Sequence, residues 1–328
     1  MALSCACSTT VAGSGSAGPT PSRVSTASGS TPTAAPTTLA YLPPDTDIGN
    51  PRTANLCSVI APDKLTKFGE TSPTLQLSPV DCEFYVTPAN ASADVEMSAY
   101  VYGPYDYDPT GTGVESRVVS GETVYAYPFA RHDCRAMIST STVVIGVQAQ
   151  DYSSQLDAGR VCAMRDALVA QVAAGVAKHR PRHLSYGPTS LTSVVICDHV
   201  DVASLPPFSH NTGMSVYDRA FGNECDLTNS VYWVDIWIGL HPPPVEPMSG
   251  RRLTVDGHHL VQEFKATSTY CQVTSQQDNV PDTIYSETVE VSAEVRAGHP
   301  ADVPNGSALC SEVAGPVLTA FLEETGRK

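Results

Sequence analysis

Nine histidines and several carboxylates invite a search for a metal site or a nucleophilic pair. Asp198-His199 follows Cys197 directly, and a free Cys beside a His could act as an activated nucleophile. His132-Asp133 is a second acid–imidazole pair, just before Cys134. His258 and His259 are adjacent, so on a strand they face opposite sides and do not easily ligate one ion. Asp106-Tyr107-Asp108-Pro109-Thr110-Gly111 imitates the start of a calcium loop. The bidentate carboxylate at the twelfth position would be Arg117, which excludes the rigid form and leaves at most a site from Asp106, Asp108 and Glu115. The default for that stretch is a polar hairpin loop. Gly13, Gly15 and Gly18 fit G-x-G-x-x-G, but no strand precedes them, as a dinucleotide site would require. Neither G-x-S-x-G nor H-E-x-x-H occurs. No catalytic residue, metal or cofactor is therefore assigned.

The cysteines are more informative. Beyond Cys5 and Cys7 stand Cys57, Cys82, Cys134, Cys162, Cys197, Cys225, Cys271 and Cys310. Zinc needs ligands two to four residues apart, and no C-x-x-C is present. An even set of widely spaced cysteines reads as a disulfide framework and an exported chain. The second four follow the first four at offsets of 140, 143, 137 and 148, the mark of a duplicated unit. The flanks agree: Asp81-Cys82-Glu83 answers Glu224-Cys225-Asp226. Four cysteines allow three connectivities per unit. Sequential pairing is expected (Cys57–Cys82, Cys134–Cys162, Cys197–Cys225, Cys271–Cys310), because it ties each helix to a neighbouring strand.

The elements that must position these residues follow from periodicity. Val95, Met97, Ala99 and Val101 alternate as one face of a strand, and short runs of this kind joined by Gly, Pro and Asp turns predict an antiparallel sheet. Val161, Met164, Leu168, Val172 and Val176 recur at helical spacing over about 158–178; Leu309, Val313, Val317, Phe321 and Leu322 do so near the end. Ala61-Pro62-Asp63 reads as the start of a short helix. The expected fold class is α+β: two tandem similar domains, each a short helix, an antiparallel sheet of about five strands and a C-terminal helix, disulfide-braced. The first unit spans 51–180 and the second 189–328, joined at Arg180 to Pro188.

The 328 residues carry 34 acidic against 19 basic side chains, a net charge of -15. That field repels phosphate backbones, so nucleic acid is excluded as a partner. From Ser8 to Ala40, 29 of 33 residues are Ser, Thr, Pro, Gly or Ala. Such a stretch cannot bury enough apolar surface to order itself, and 8–50 is expected to be a disordered tether. A Cys followed by small polar residues and such a tether resembles the mature start of a bacterial lipoprotein; the resemblance implies that residues 1–7 are the remnant of its signal, with lipidation at Cys7 or, second, at Cys5.

The pattern of a Cys before a short helix, a second Cys opening a strand, a Gly-led strand into a third Cys, and a fourth Cys opening a last helix resembles a family of actinobacterial secreted lipoproteins of unknown function. The similarity runs from about Asn50 to Lys328 as two copies. The first fits better; the second has Pro206-Pro207 in the helix and Leu227 where the first has Phe84. The resemblance implies a signal peptide, a lipid anchor on the outer face of the cell membrane and no catalytic residues.

Tyrosine is the unusual surface residue, 14 against seven Phe and two Trp. Tyr100, Tyr102, Tyr105 and Tyr107 crowd one hairpin and Tyr125 and Tyr127 another, a candidate binding surface for an envelope protein, glycan or lipid. The bland alternative is cross-strand aromatic pairing that only stabilises the sheet. Trp233 and Trp237 share a face and are expected in the core. The reading is a non-enzymatic envelope lipoprotein; the alternative is a secreted hydrolase with a site between the two units, using His132, Asp133 or Asp198-His199.

Overall fold

A computed structural model describes residues 46–327, apart from 90–91, 103–108, 131, 179–180, 188, 202–214, 242–250, 256–257, 265–268, 282, 284 and 297–305. Cys5, Cys7, Tyr105, Tyr107, Asp106, Asp108 and Pro206-Pro207 lie outside the described residues. The two-residue β1 (Ala54–Asn55) precedes the first sheet. That sheet holds β2 (Glu70–Thr71), β3 (Leu75–Ser78), β4 (Asp81–Thr87), β5 (Val95–Tyr102), β6 (Glu115–Val119), β7 (Glu122–Ala126), β8 (Asp133–Ser139) and β9 (Val144–Asp151). Its order is β2-β4-β5-β9-β8-β7-β6, with β3 also paired to β4. Helix α1 (Ala158–Lys178) follows, then the short β10 (Arg182–His183), paired antiparallel with β1.

The second sheet holds β11 (Ser215–Arg219), β12 (Glu224–Thr228), β13 (Tyr232–His241), β14 (Arg251–Val255), β15 (His258–Phe264), β16 (Tyr270–Asn279) and β17 (Ser286–Val295). Its order is β11-β12-β13-β17-β16-β15-β14. The run β4-β5-β9-β8-β7-β6 in the first sheet thus has the neighbour relations of β12-β13-β17-β16-β15-β14 in the second. Even an irregular bond recurs: the Val101 N–H donates to the Val80 carbonyl at 2.9 Å, and the Ile238 N–H to the Asn223 carbonyl at 3.0 Å. The terminal helix comprises α2 (Gly306–Leu309), a π-helical turn at Cys310–Ala314 and α3 (Gly315–Glu324).

Alternation places the cores. Val95, Met97, Ala99 and Val101 are buried against Val161, Met164, Leu168 and Val172 of α1. Val234, Ile236 and Ile238 meet Val313, Val317 and Phe321 in the same way. Each such Val, Leu, Ile, Phe or Met side chain contributes about 1.5–3 kcal/mol when fully buried. The Asp157 side chain caps α1, accepting the Arg160 N–H at 2.9 Å.

Four disulfides fix helix to sheet: Cys57–Cys82, Cys134–Cys162, Cys197–Cys225 and Cys271–Cys310, with Cα separations of 5.1 to 5.4 Å. The units touch through specific groups. Arg52, buried, donates from Nε to Asn223 Oδ1 at 3.2 Å and from a terminal nitrogen to the Val194 carbonyl. The Tyr285 hydroxyl accepts the Gln76 N–H at 3.3 Å.

Three expectations need correction. The sheets have eight and seven strands, not about five. Among the unanticipated ones in the first are the short strands β2, of two residues, and β3, whose Leu75-Gln76-Leu77-Ser78 alternation is too brief to mark a strand. The entry helix is two separate 3-10 turns, Leu56–Val59 and Pro62–Leu65, too short to complete α-helical bonding. The tether does not run to residue 50. Asp47 accepts bonds from the Ser141 hydroxyl and from both the N–H and the hydroxyl of Thr142, and Ile48 is fully buried. A contact 95 residues away orders Thr46–Asn50.

Candidate functional site

With one face of each sheet under its helix, the other face carries the polar residues. On the first sheet the register sets three rows: Asp81–Tyr100–Gly146–Met137–Tyr125, Glu83–Ser98–Gln148–Arg135, and Tyr85–Glu96–Gln150–Asp133. Glycine at 146 is required by the rings above it. A Cβ there would lie 2.5 Å from Tyr100 Cε2 and 2.6 Å from Tyr102 Cε2. Tyr100 and Tyr102 meet edge to face with centroids 4.6 Å apart, and the Tyr102 hydroxyl donates to the Tyr100 oxygen at 3.0 Å.

Two further phenols on this side of the sheet bond carboxylates. Tyr85 donates to Glu83, and Tyr152 donates to Glu96 at 3.0 Å. Burial and then the bonded Glu83 push the Tyr85 phenol well up; burial and Glu96 push Tyr152 up to about 12. Arg135 pairs with Asp133. Asp81 is the extreme case. Its Oδ1 is sealed from solvent and has no hydrogen-bond partner. Burial first, then the charges of Glu83 and Glu96, raise its carboxyl to about 7, with Glu224 of the second unit adding to the effect. This is a group that can hold or release a proton near neutrality.

Because the folded state keeps the Asp81 proton to about pH 7 while the unfolded chain loses it near 3.8, the native form binds more protons between those values. Stability therefore falls as pH rises from about 4 to about 7. Thermal midpoints of wild type and Asp81→Asn, taken across that window, are expected to diverge, with the variant losing less. Parallel curves would exclude Asp81 as the cause.

Of the tyrosines singled out from sequence, Tyr100 and Tyr102 are brought together. Tyr125 lies on the same row beyond Met137, and Tyr127 follows β7, its N–H bonded to the Arg135 carbonyl at 3.0 Å. Sequence reasoning does not single out Asp81, Tyr85 or Tyr152. The one signal is the acid before Cys82 and before Cys225, and it reads equally well as a mark of the repeat.

On the second sheet, Trp233 is corrected from core to surface. It is 39% exposed, because Val234, Ile236 and Ile238 take the helix side of β13. Trp237, on the same face, is half-buried rather than core. Trp233 Nε1 donates to Asp235 Oδ1 at 2.5 Å. Tyr217 is 41% exposed on the row of Asp235.

The acid–imidazole pairs do not converge. Asp133 is engaged by Arg135, and the His132 ring stacks edge-on against Phe129 at 5.9 Å. Asp198 and His199 sit in the 3-10 turn Ile196–His199, whose Cys197 is in a disulfide. Among the described residues no group of three or more His, Cys, Asp or Glu could hold a metal ion, and no helix is long and apolar enough to cross a membrane. The four disulfides are compatible with an extracellular location.

No protein-family model matches the chain, and no curated protein does. Among solved structures it is similar to the di-domain ARO/CYC StfQ from the steffimycin biosynthetic pathway, at 9% identity over 84% of this chain and 94% of that one, TM-score 0.19. The di-domain ARO/CYC BexL from the BE-7585A pathway follows at 11% identity, 83% and 94% coverage and TM-score 0.17. DynU16 from the dynemicin biosynthetic locus stands at 10%, 82% and 90%, and 0.14. At these TM-scores the likeness carries no argument about this chain's fold or chemistry.

Proposed function

We propose that this chain is an exported envelope lipoprotein. In this reading two tandem copies of one disulfide-braced unit are held off the membrane by the tether, and they bind an envelope component through the polar faces of their sheets. The observation that carries it is the Tyr100–Tyr102 pair, with the carboxylate-bonded Tyr85 and Tyr152 on the same side of the sheet, opposite the helix. The neighbour relations common to the two sheets support the duplication. The binding role is non-enzymatic, and neither acid–imidazole pair supports the hydrolase reading. Solubilised envelope passed over immobilised protein should yield a retained component. Tyr100→Ser combined with Tyr102→Ser should reduce its capture several-fold at unchanged far-ultraviolet ellipticity. Equal capture by the two proteins would refute the role of this face.

The anchor is tested separately. Expressed with its native upstream sequence, the protein should partition into detergent, and Cys7→Ala, or the double change with Cys5→Ala, should move it to the aqueous phase. Aqueous partition of the unaltered protein would refute the lipid.

A further inference from the structure

The two polar sheet faces share a feature beyond tyrosine content. Three of the large side chains that stay exposed are aromatic, namely Tyr152 at 65%, Tyr217 at 41% and Trp233 at 39%. Tyr152 and Trp233 each bond a carboxylate through their polar tips, Glu96 and Asp235. An aromatic face beside a carboxylate offers a cation both ring quadrupole and charge. Carboxylates predominate around these two pairs. The first carries Glu83, Glu96 and Asp133 against the single Arg135, with Asp81 sealed beneath them. On the second, Asp235 shares its row with Asp226 and Tyr217, while the next row, through Glu224, Trp237 and the buried Glu290, ends on Arg219 and Arg252. The field is felt locally, since Glu96 as well as Asp81 is held above the ordinary carboxylate range, after burial, by Glu83.

The form of the surface constrains the size of the ligand. Rings this exposed lie on open surface, not in the concave pocket that buries most of a small molecule. We infer that the acidic, aromatic faces of the two sheets bind a Lys/Arg-rich polypeptide segment, each unit offering an aromatic–carboxylate pair, Tyr152–Glu96 and Trp233–Asp235, to its cationic side chains. This rests on the binding reading above and names the partner's chemistry. The chain's net charge of -15 favours the same sign of partner at long range.

Titration with decalysine tests it. The only tryptophans are Trp233 and Trp237, so binding to the second face should change their fluorescence, saturably and less so as salt rises. Tyr152→Ser with Glu96→Gln, and Trp233→Ala with Asp235→Asn, are each expected to weaken binding about tenfold by calorimetry, near 1.4 kcal/mol. Glu323→Gln with Glu324→Gln on α3 removes the same or more charge away from the faces and should leave affinity unchanged. No binding at low salt, or an equal loss from the α3 variant, overturns the inference. If decalysine fails while envelope capture through Tyr100 and Tyr102 persists, only the ligand class falls. If capture is lost too, the binding reading falls with it.

Discussion

Replacing Cys134 and Cys162 by serine is expected to destabilise the first unit by about 3–4 kcal/mol, the scale of loop-closure entropy for a bridge of this span. The pair closes 28 residues and joins β8 to the second turn of α1. Released, α1 keeps its apolar stripe but loses the link that restricts the unfolded ensemble, and the helix that covers Met97, Ala99 and Val101 becomes the first element to detach. Denaturant unfolding followed by far-ultraviolet ellipticity measures it. A large fall in midpoint is expected, against a smaller one when the exposed surface pair Arg117–Asp166 is broken by Arg117→Ala. An unchanged midpoint in the serine variant would mean that the stripe alone fixes the helix.

Arg52→Met is expected to cost about 2–3 kcal/mol and to change how the protein melts, because hydrogen bonds from a charged donor are worth about 1.5–3 kcal/mol each and their removal leaves buried acceptors unpaired. Arg52 is 1% exposed, and two of its bonds cross to the second unit, to Asn223 and Val194. Methionine retains much of the bulk, so the loss reports the bonds more than a cavity. Calorimetry of the variant should resolve two transitions where the parent gives one. A single transition at the parental midpoint would show that other contacts, such as Gln76 with Tyr285, hold the units together.

The elements with a strict period are legible in the sequence. The alternation from Val95 to Val101 and the helical stripe from Val161 to Val176 are both local patterns, and each maps onto buried side chains. What escapes is non-local. The pairing of β2 and β3 with β4 depends on a long, apolar neighbour, since two and four residues are too few to mark a strand, and in β3 it is Gln76, not Leu75, that is buried. Asp81 owes its environment to Glu83 and Glu96 on two strands and to Glu224 far along the chain. Trp233 reads as core because large rings usually are, yet the same period-two rule that places Val234 and Ile236 inside sends Trp233 outside. Ordering of Thr46–Asn50 rests on the Ser141–Thr142 turn, which composition at the end of a Ser/Thr/Pro tract does not announce.

If the sheet face, not the helix side, is the working surface, photo-crosslinking in intact cells shows it most directly. The photoreactive residue p-benzoylphenylalanine is placed at Tyr102 on the face or at Ala163, an exposed position on α1. A discrete adduct is expected from position 102, lost when Tyr100 is changed to serine, and none from position 163. Adducts from position 163 alone, or from neither position, would contradict a working sheet face.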